Sequence, residues 1–244
     1  MLKLKELHNI ATSRKSIYDL PVDKQLISTI NANSYNVAQT DNVFAQALSH
    51  SDILLPDGQS VVWACKWLNM KNAPNERITG WDLFQIEMKQ LNSKGGKALF
   101  LGSSQRVLEN IVERAKKDFP SIEVFTYSPP YKPTFSVEET RDMVNMINET
   151  RPNLLLVGMT APKQEKWIYE VWSELNINCH VCCIGAVFDF YANTKKRAPV
   201  FMQHYGLEWL FRLVVEPRRL WKRYLIGNPV FLMRIFKEKI NIAK

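Results

Sequence analysis

Between residues 97 and 184 four short apolar runs alternate with helical stretches, and this alternation constrains the chain more than any other feature. Lys97-Ala-Leu-Phe-Leu101 runs into Gly102-Ser-Ser, Ile122–Tyr127 into Pro129-Pro130, Asn153–Val157 into Gly158, and Cys179–Ile184 into Gly185. The intervening segments read as helices. One spans Gln105–Asp118 and is stopped by Pro120; one is capped by Ser136, with Glu139 completing a capping box, and runs to about Glu149. The third starts near Pro162 and runs to about Leu175. Strands separated by crossover helices pair in parallel, which predicts a Rossmann-like sheet. Leu154–Val157 and Val181–Ile184 are apolar without interruption, as strands covered on both faces should be.

Residues 1–95 are less regular. Asp23–Ile30 reads as helical or mixed, Asn36–His50 as helical and Asp52–Leu55 as a strand, with helices over Val61–Leu68 and Asp82–Leu91. The expected architecture is α/β, with two α/β lobes meeting across a cleft. An N-terminal lobe covers 1–95 and a Rossmann-like lobe with a parallel sheet covers 96–195. A basic amphipathic helical C-terminal appendage covers 196–244. A chain of 244 residues is long enough for one large α/β domain or two small ones.

The charge lies in that appendage. From Lys195 onward there are twelve Lys and Arg against three acids (Glu208, Glu216, Glu238), a balance of +9, so the rest of the +8 chain carries −1. Phe201, Tyr205, Trp209, Phe211, Trp221, Tyr224, Phe231 and Phe236 are interleaved with these charges. In Pro217–Gly227 the basic residues Arg218, Arg219, Lys222 and Arg223 lie roughly 200° from Leu220, Trp221, Tyr224 and Leu225 at 3.6 residues per turn. A second short helix is expected after Pro229. Neither apolar run approaches the ~20 residues that span a bilayer. The pattern suits a surface that meets an anion and an apolar phase together, and an anionic membrane surface fits it. A helix packing its other face on its own core has the same pattern. Nucleic acid ranks lower, since no helix-turn-helix, RNP-like or paired Cys/His spacing accompanies the charge.

Met1–Leu20 lacks the apolar stretch of a signal peptide, so a cytoplasmic location is expected. Cys179 and Cys182 have the separation of a metal or redox pair. In a strand, however, they point to opposite faces, so buried free cysteine is the better reading. No Asp-x-Asp is present to seat a divalent metal, and neither G-x-G-x-x-G nor G-x-x-x-x-G-K-[ST] occurs. No cofactor is expected. Ligands of open parallel sheets bind beyond the carboxyl ends of the strands. Gly102 and Gly158 stand there, each before a helix whose N-terminus could hold a phosphate.

Eight segments taken in order resemble one family. They are Thr29-Ile-Asn31, Asp52-Ile-Leu-Leu-Pro-Asp57-Gly58, Arg77-Ile-Thr-Gly80-Trp-Asp82-Leu83, and Gly158-x-x-Ala-Pro-Lys-Gln164-Glu165. Gly185-Ala-Val-Phe-Asp189-Phe, Arg197-Ala-Pro199, Gly206-Leu-Glu208-Trp209-Leu-Phe-Arg212 and Glu216-Pro-Arg218-x-x-x-x-Arg223-Tyr224 follow. From about residue 25 to 232 they look like the WecG/TagA/CpsF family of bacterial glycosyltransferases. That resemblance implies metal-independent transfer of a sugar from a UDP-sugar to a polyprenyl-diphosphate-linked saccharide at the cytoplasmic membrane face, in surface polysaccharide synthesis. It also implies that the basic appendage touches the membrane and helps complete the site.

Under the resemblance Asp57 is the general base, taking the acceptor hydroxyl proton as that oxygen attacks the anomeric carbon. An Asp before Gly is also an ordinary turn residue. Thr29 and Asn31 would bond the donor sugar or acceptor, although helix capping would equally suit them. Gln164 and Glu165 would serve nucleotide recognition, and Asp189 and Arg197 belong to the substrate-binding set with Gly102 and Gly158. Arg212, Arg218, Arg219 and Arg223 are candidates for the diphosphate, whose departing charge needs a cation when no metal is present. Arg212 and Arg223 match the family best; the choice between Arg218 and Arg219 stays open. Gly58-Gln59-Ser60 departs from the Gly-Ile-Gly common in the family and Asn193 from its glycine, which leaves donor identity open. A homo-oligomer is compatible with all of this. The rival classes are a non-catalytic basic membrane- or nucleic-acid-binding module on a Rossmann-like fold, and a soluble nucleotide-sugar enzyme.

Overall fold

The structure, a computed structural model, describes residues 2–242; Lys244, one of the twelve basic residues of the tail, lies outside them. Six strands form a single sheet: β1 Gln25–Ile30, β2 Ile53–Pro56, β3 Gly96–Gly102, β4 Ile122–Tyr127, β5 Leu154–Gly158 and β6 His180–Cys183. Their order is β2-β1-β6-β5-β3-β4, and every pairing is parallel. The expected parallel α/β architecture is therefore present. The strands before and after residue 95 do not make separate sheets, because β1 pairs with β6 through Gln25–Ile27 and His180–Cys182.

The helices before residue 192 are α1 Arg14–Tyr18, α2 Ala32–Ala38, α3 Asn42–His50, α4 Gln59–Trp67, α5 Gly80–Lys94, α6 Gln105–Asp118, α7 Val137–Thr150, α8 Lys163–Val171 and α9 Val187–Tyr191. The predicted bounds of α6 and β4 are met to the residue, and Ser136 and Glu139 form the expected capping box. β1 is a correction, since Asp23–Ile30 read as helical or mixed. Gln25-Leu-Ile-Ser-Thr-Ile is short and half polar, and tertiary pairing decides its state. The Leu26 amide donates to Asp52 Oδ2 at 2.7 Å, and the Ser51 hydroxyl donates to Ser28 Oγ at 2.9 Å. Asn36–His50 is two helices rather than one, broken where Asp41 caps α3 by accepting from the Phe44 amide.

Apolar layers cover both faces of the sheet. Phe84, Phe100, Phe188 and Tyr191 fill one, under α5, α6 and α9. Leu99, Leu101, Val157 and Ile168 fill the other, under α7 and α8. Tyr35, Phe44, Leu54 and Val61 extend that face over β1 and β2. All four cysteines are buried and free, and Cys179 and Cys182 do face opposite layers.

The tail holds α10 Val200–His204, α11 Glu208–Val215, α12 Pro217–Trp221, a π-helical turn Lys222–Ile226 and α13 Gly227–Ile242. Two separate short helices were expected here. The chain instead runs helically from Pro217 to Ile242, with Pro229 near the start of α13. A π turn winds more residues into each turn than an α-helix does, so side chains beyond it emerge rotated from the α pattern. The apolar face of this segment divides. Leu220 and Tyr224 are buried, whereas Trp221 and Leu225 are exposed. Farther on, Phe231 and Ile235 are core residues, packed with Tyr35 and Leu54.

Candidate active site

The carboxyl ends of β1 and β2 place Asp57. Its amide donates to the Ile30 carbonyl at 2.9 Å, which continues the β1–β2 ladder one step past the strands. This fixes Asp57 beside Asn31, and a Cβ built on Gly58 would lie 3.6 Å from Asn31 Cβ. Asn31 is the N-cap of α2. Its Oδ1 accepts from the Asn33 and Ser34 amides at 3.0 Å each, so the capping role is realised. Thr29 lies two residues back on β1, partly buried and in register with Leu55.

The appendage folds back over this corner. Gly206 packs against Gln59 at the start of α4, where a glycine is needed because φ is +70°. Arg77 Nη1 lies 3.3 Å from Glu208 Oε2, and its Nη2 donates to the Gln203 carbonyl at 3.3 Å. Arg197 Nε lies 3.6 Å from Glu208 Oε1, and its guanidinium sits 5.2 Å from the centre of the Trp81 ring. Asp57 thus has four charged neighbours: Glu208, Arg77, Arg212 and Arg223. Burial chiefly, and then Glu208, push its carboxyl up to about 6 against the pull of the three arginines. A carboxylate held there is ionised at neutral pH yet remains a better proton acceptor than an ordinary Asp.

Arg223 is the complementary feature. It lies in the π turn, its Nε is buried with no hydrogen-bond partner, and burial disfavours its charge. Arg212 and Arg219 add like charge beside it. Asp57 is the opposite charge beside Arg223, and a diphosphate would add more. Arg218 and Arg219 are both exposed; Arg219 is held by Glu216 and acts on Arg223, whereas Arg218 is not among Arg223's charged neighbours. Among the described residues no cluster of His, Cys, Asp and Glu has the makings of a metal site.

The other expected residues lie along the same sheet edge but are engaged differently. Gly102 and Gly158 end β3 and β5, whose onward connections leave in opposite directions, the usual setting for a ligand crevice. Here the glycines serve packing. A Cβ on Gly158 would meet the Phe188 ring at 2.4 Å, and one on Gly102 would lie 2.6 Å from the Gly158 carbonyl oxygen. Gln164 and Glu165 are both buried. Gln164 Oε1 accepts from the Met159 amide at 3.2 Å, and its Nε2 donates to Glu165 Oε1 at 2.8 Å. Glu165 Oε2 is left with no partner, and burial raises the carboxyl to about 7. Asp189 accepts from Lys195 Nζ at 2.8 Å.

Arg77 and Glu208 were not among the expected site residues, although both stand in the quoted motifs. Nothing local signals their pairing, because 131 residues separate them.

Comparison with known proteins places the chain in a family. The chain matches the Glycosyl transferase WecG/TagA/CpsF family over residues 7–244. It is similar to N-acetylglucosaminyldiphosphoundecaprenol N-acetyl-beta-D-mannosaminyltransferases from three bacteria. The protein of Bacillus spizizenii W23 is 31% identical over 82% of this chain and 74% of the relative. That of Bacillus subtilis 168 is 30% identical over 88% and 80%, and that of Staphylococcus aureus NCTC 8325 is 27% identical over 89% and 82%.

Proposed function

This chain belongs to the WecG/TagA/CpsF family of glycosyl transferases, and from that premise we propose that it moves a hexose or N-acetylhexosamine from a UDP-sugar to a polyprenyl-diphosphate-linked saccharide, with inversion and without a metal. The observation that carries this reading is the convergence of Asp57 from the sheet edge with Arg212 and Arg223 from the appendage. Asp57 takes the proton of the acceptor hydroxyl as its oxygen attacks the anomeric carbon. The bond from that carbon to the diphosphate breaks, and Arg212, Arg223 and Arg219 receive the charge that develops on UDP. One base with direct displacement inverts the anomeric centre. The names of the relatives make N-acetylmannosamine the first donor to try and diphosphate-linked N-acetylglucosamine the first acceptor.

The acceptor's lipid calls for a membrane-facing surface, and the appendage supplies one. Phe201, Val214, Val215, Leu225, Leu232 and Phe236 are each more than half exposed, among the lysines and arginines of the tail. No helix among the described residues is long and apolar enough to cross a membrane. In our reading the appendage therefore lies on the anionic inner face of the cell membrane.

A donor panel tests this. The protein, in EDTA, is offered several UDP-sugars and a short polyprenyl-diphosphate-GlcNAc analogue, and products are read by mass spectrometry. A sugar added to the lipid by the wild type and not by Asp57→Asn is the expected result. No transfer with any donor, with or without magnesium, vesicles and larger lipid-linked saccharides, would overturn it in favour of a binding module.

A further inference from the structure

Glu208 stands where the appendage meets the sheet-bearing body, and two arginines reach it from different segments. Arg77 precedes α5 and Arg197 precedes α10, and each contacts a different oxygen of the Glu208 carboxylate. The three side chains are only 17%, 20% and 16% exposed, for Arg77, Arg197 and Glu208 respectively. Exposed ion pairs contribute little, but a bridged and largely buried one fixes its members in place. Arg77 is held a second time through the Gln203 carbonyl, and Gln203 itself donates to Ala198 O at 2.5 Å.

The charges of Arg77, Arg212 and Arg223 act on Asp57, and Glu208 is the single acid among the charged groups that do. Left to itself, such a set of cations would pair with the carboxylate. A forked Arg–carboxylate pair is strong and depresses the acid's proton affinity, which makes a poor general base. The cations that suit a departing diphosphate are thus a hazard to the base beside them.

We propose that Glu208 is a positioning residue for the base: by holding Arg77 to the appendage, it keeps that guanidinium from closing on Asp57. This rests on the reading of Asp57 as the proton acceptor. It also accounts for an acid placed among arginines that would otherwise be assigned to an anion. The same carboxylate joins the appendage to the body, so the base is tuned only when the diphosphate-binding arginines are in place.

Two measurements on the full chain decide it. The first follows Asp57 directly by its carboxyl carbon resonance against pH, assigned with Asp57→Asn, in the wild type, Glu208→Gln and Glu208→Asp. The expected midpoint is near 6 in the wild type. It should move down by about one pH unit in Glu208→Gln and mostly return in Glu208→Asp. Arg77→Gln should raise it far more in the Glu208→Gln background than in the wild type, whereas equal effects in both would mean that Glu208 acts on Asp57 by its charge alone and would overturn the proposal. The second is the pH dependence of transfer. In Glu208→Gln the acidic limb should move down with the midpoint, and kcat at pH 7 should fall about tenfold while KM changes far less. Hydrogen exchange across residues 206–226 runs alongside. A midpoint that does not move overturns the proposal. So does an upward movement accompanied by faster exchange, because Glu208 would then merely fasten the appendage. If the wild type transfers no sugar, the proposed function fails, and the titration still decides the role of Glu208.

Discussion

The sheet-bearing body and the appendage are held together by different means. Within the body, β1, β6, β5 and β3 are joined by backbone ladders with fixed register, and a one-residue slip would turn every core side chain outward. The stretch from residue 196 to 226 meets the body through side chains: Arg77 with Glu208, Gln59 with Gly206, Trp81 with Arg197. Only with α13 does the tail enter the core. There Phe231 and Ile235 join Tyr35, and Glu238 accepts from the Leu4 and Lys5 amides and the Tyr35 hydroxyl. The difference separates two chemical tasks. The proposed base sits on the rigid edge, where placement against a reacting carbon matters most. The cations sit on the segment that side chains hold, anchored at its far end by α13.

Changes on either side should separate these tasks. Asp57→Asn should lower turnover by about 10³-fold. It should not lower the melting temperature at pH 8, because folding already disfavours the ionised carboxyl at this position. Phe231→Ala should cost about 4 kcal/mol in urea unfolding, since the ring is fully buried and meets Tyr35 edge-on at 5.4 Å. A small loss would mean that α13 belongs to the appendage rather than the core.

Glu165→Gln tests the body alone. The Glu165 carboxyl is raised from 4.5 to about 7, so the folded state binds that proton more tightly than the unfolded chain. The stability this confers is fully present below pH 4.5 and is lost as pH rises through 7. The amide cannot ionise, so its advantage in denaturant melts should grow across that window and level off at about 3 kcal/mol. A difference independent of pH would rule out the buried charge as its source. On the appendage, Arg223→Ala should lower kcat by about 10²-fold without loss of stability, because it removes a buried cation with an unpartnered Nε. Arg218→Ala is the smallest change, within about twofold in kcat/KM, as expected of an exposed surface charge. Equal effects of the two would remove the distinction between them.

The elements from α6 to β6 were legible because each carries its own punctuation: Ser136 with Glu139, Pro120, and glycines at strand ends. β1 was not, since its state depends on Asp52 and Ser51, which reach it from the connection between α3 and β2. In the site, Asp57 and the arginine set could be named from motifs, whereas the Arg77–Glu208–Arg197 bridge exists only after the tail folds back. The tail's face was misjudged at Trp221 and Leu225 because helical periodicity shows which side of a helix is apolar but not how wide a stripe of it is covered.

The strand order also sets a schedule for synthesis. β6 is the last strand to leave the ribosome, yet it lies third in the sheet, between β1 and β5. Until it arrives, a nascent chain carries two pieces, β1 with β2 and β5 with β3 and β4, each with an open strand edge of the kind that invites pairing with a neighbour. The sheet is therefore completed from the middle, and a chain that stalls before residue 180 is left as two exposed half-sheets for chaperones to guard.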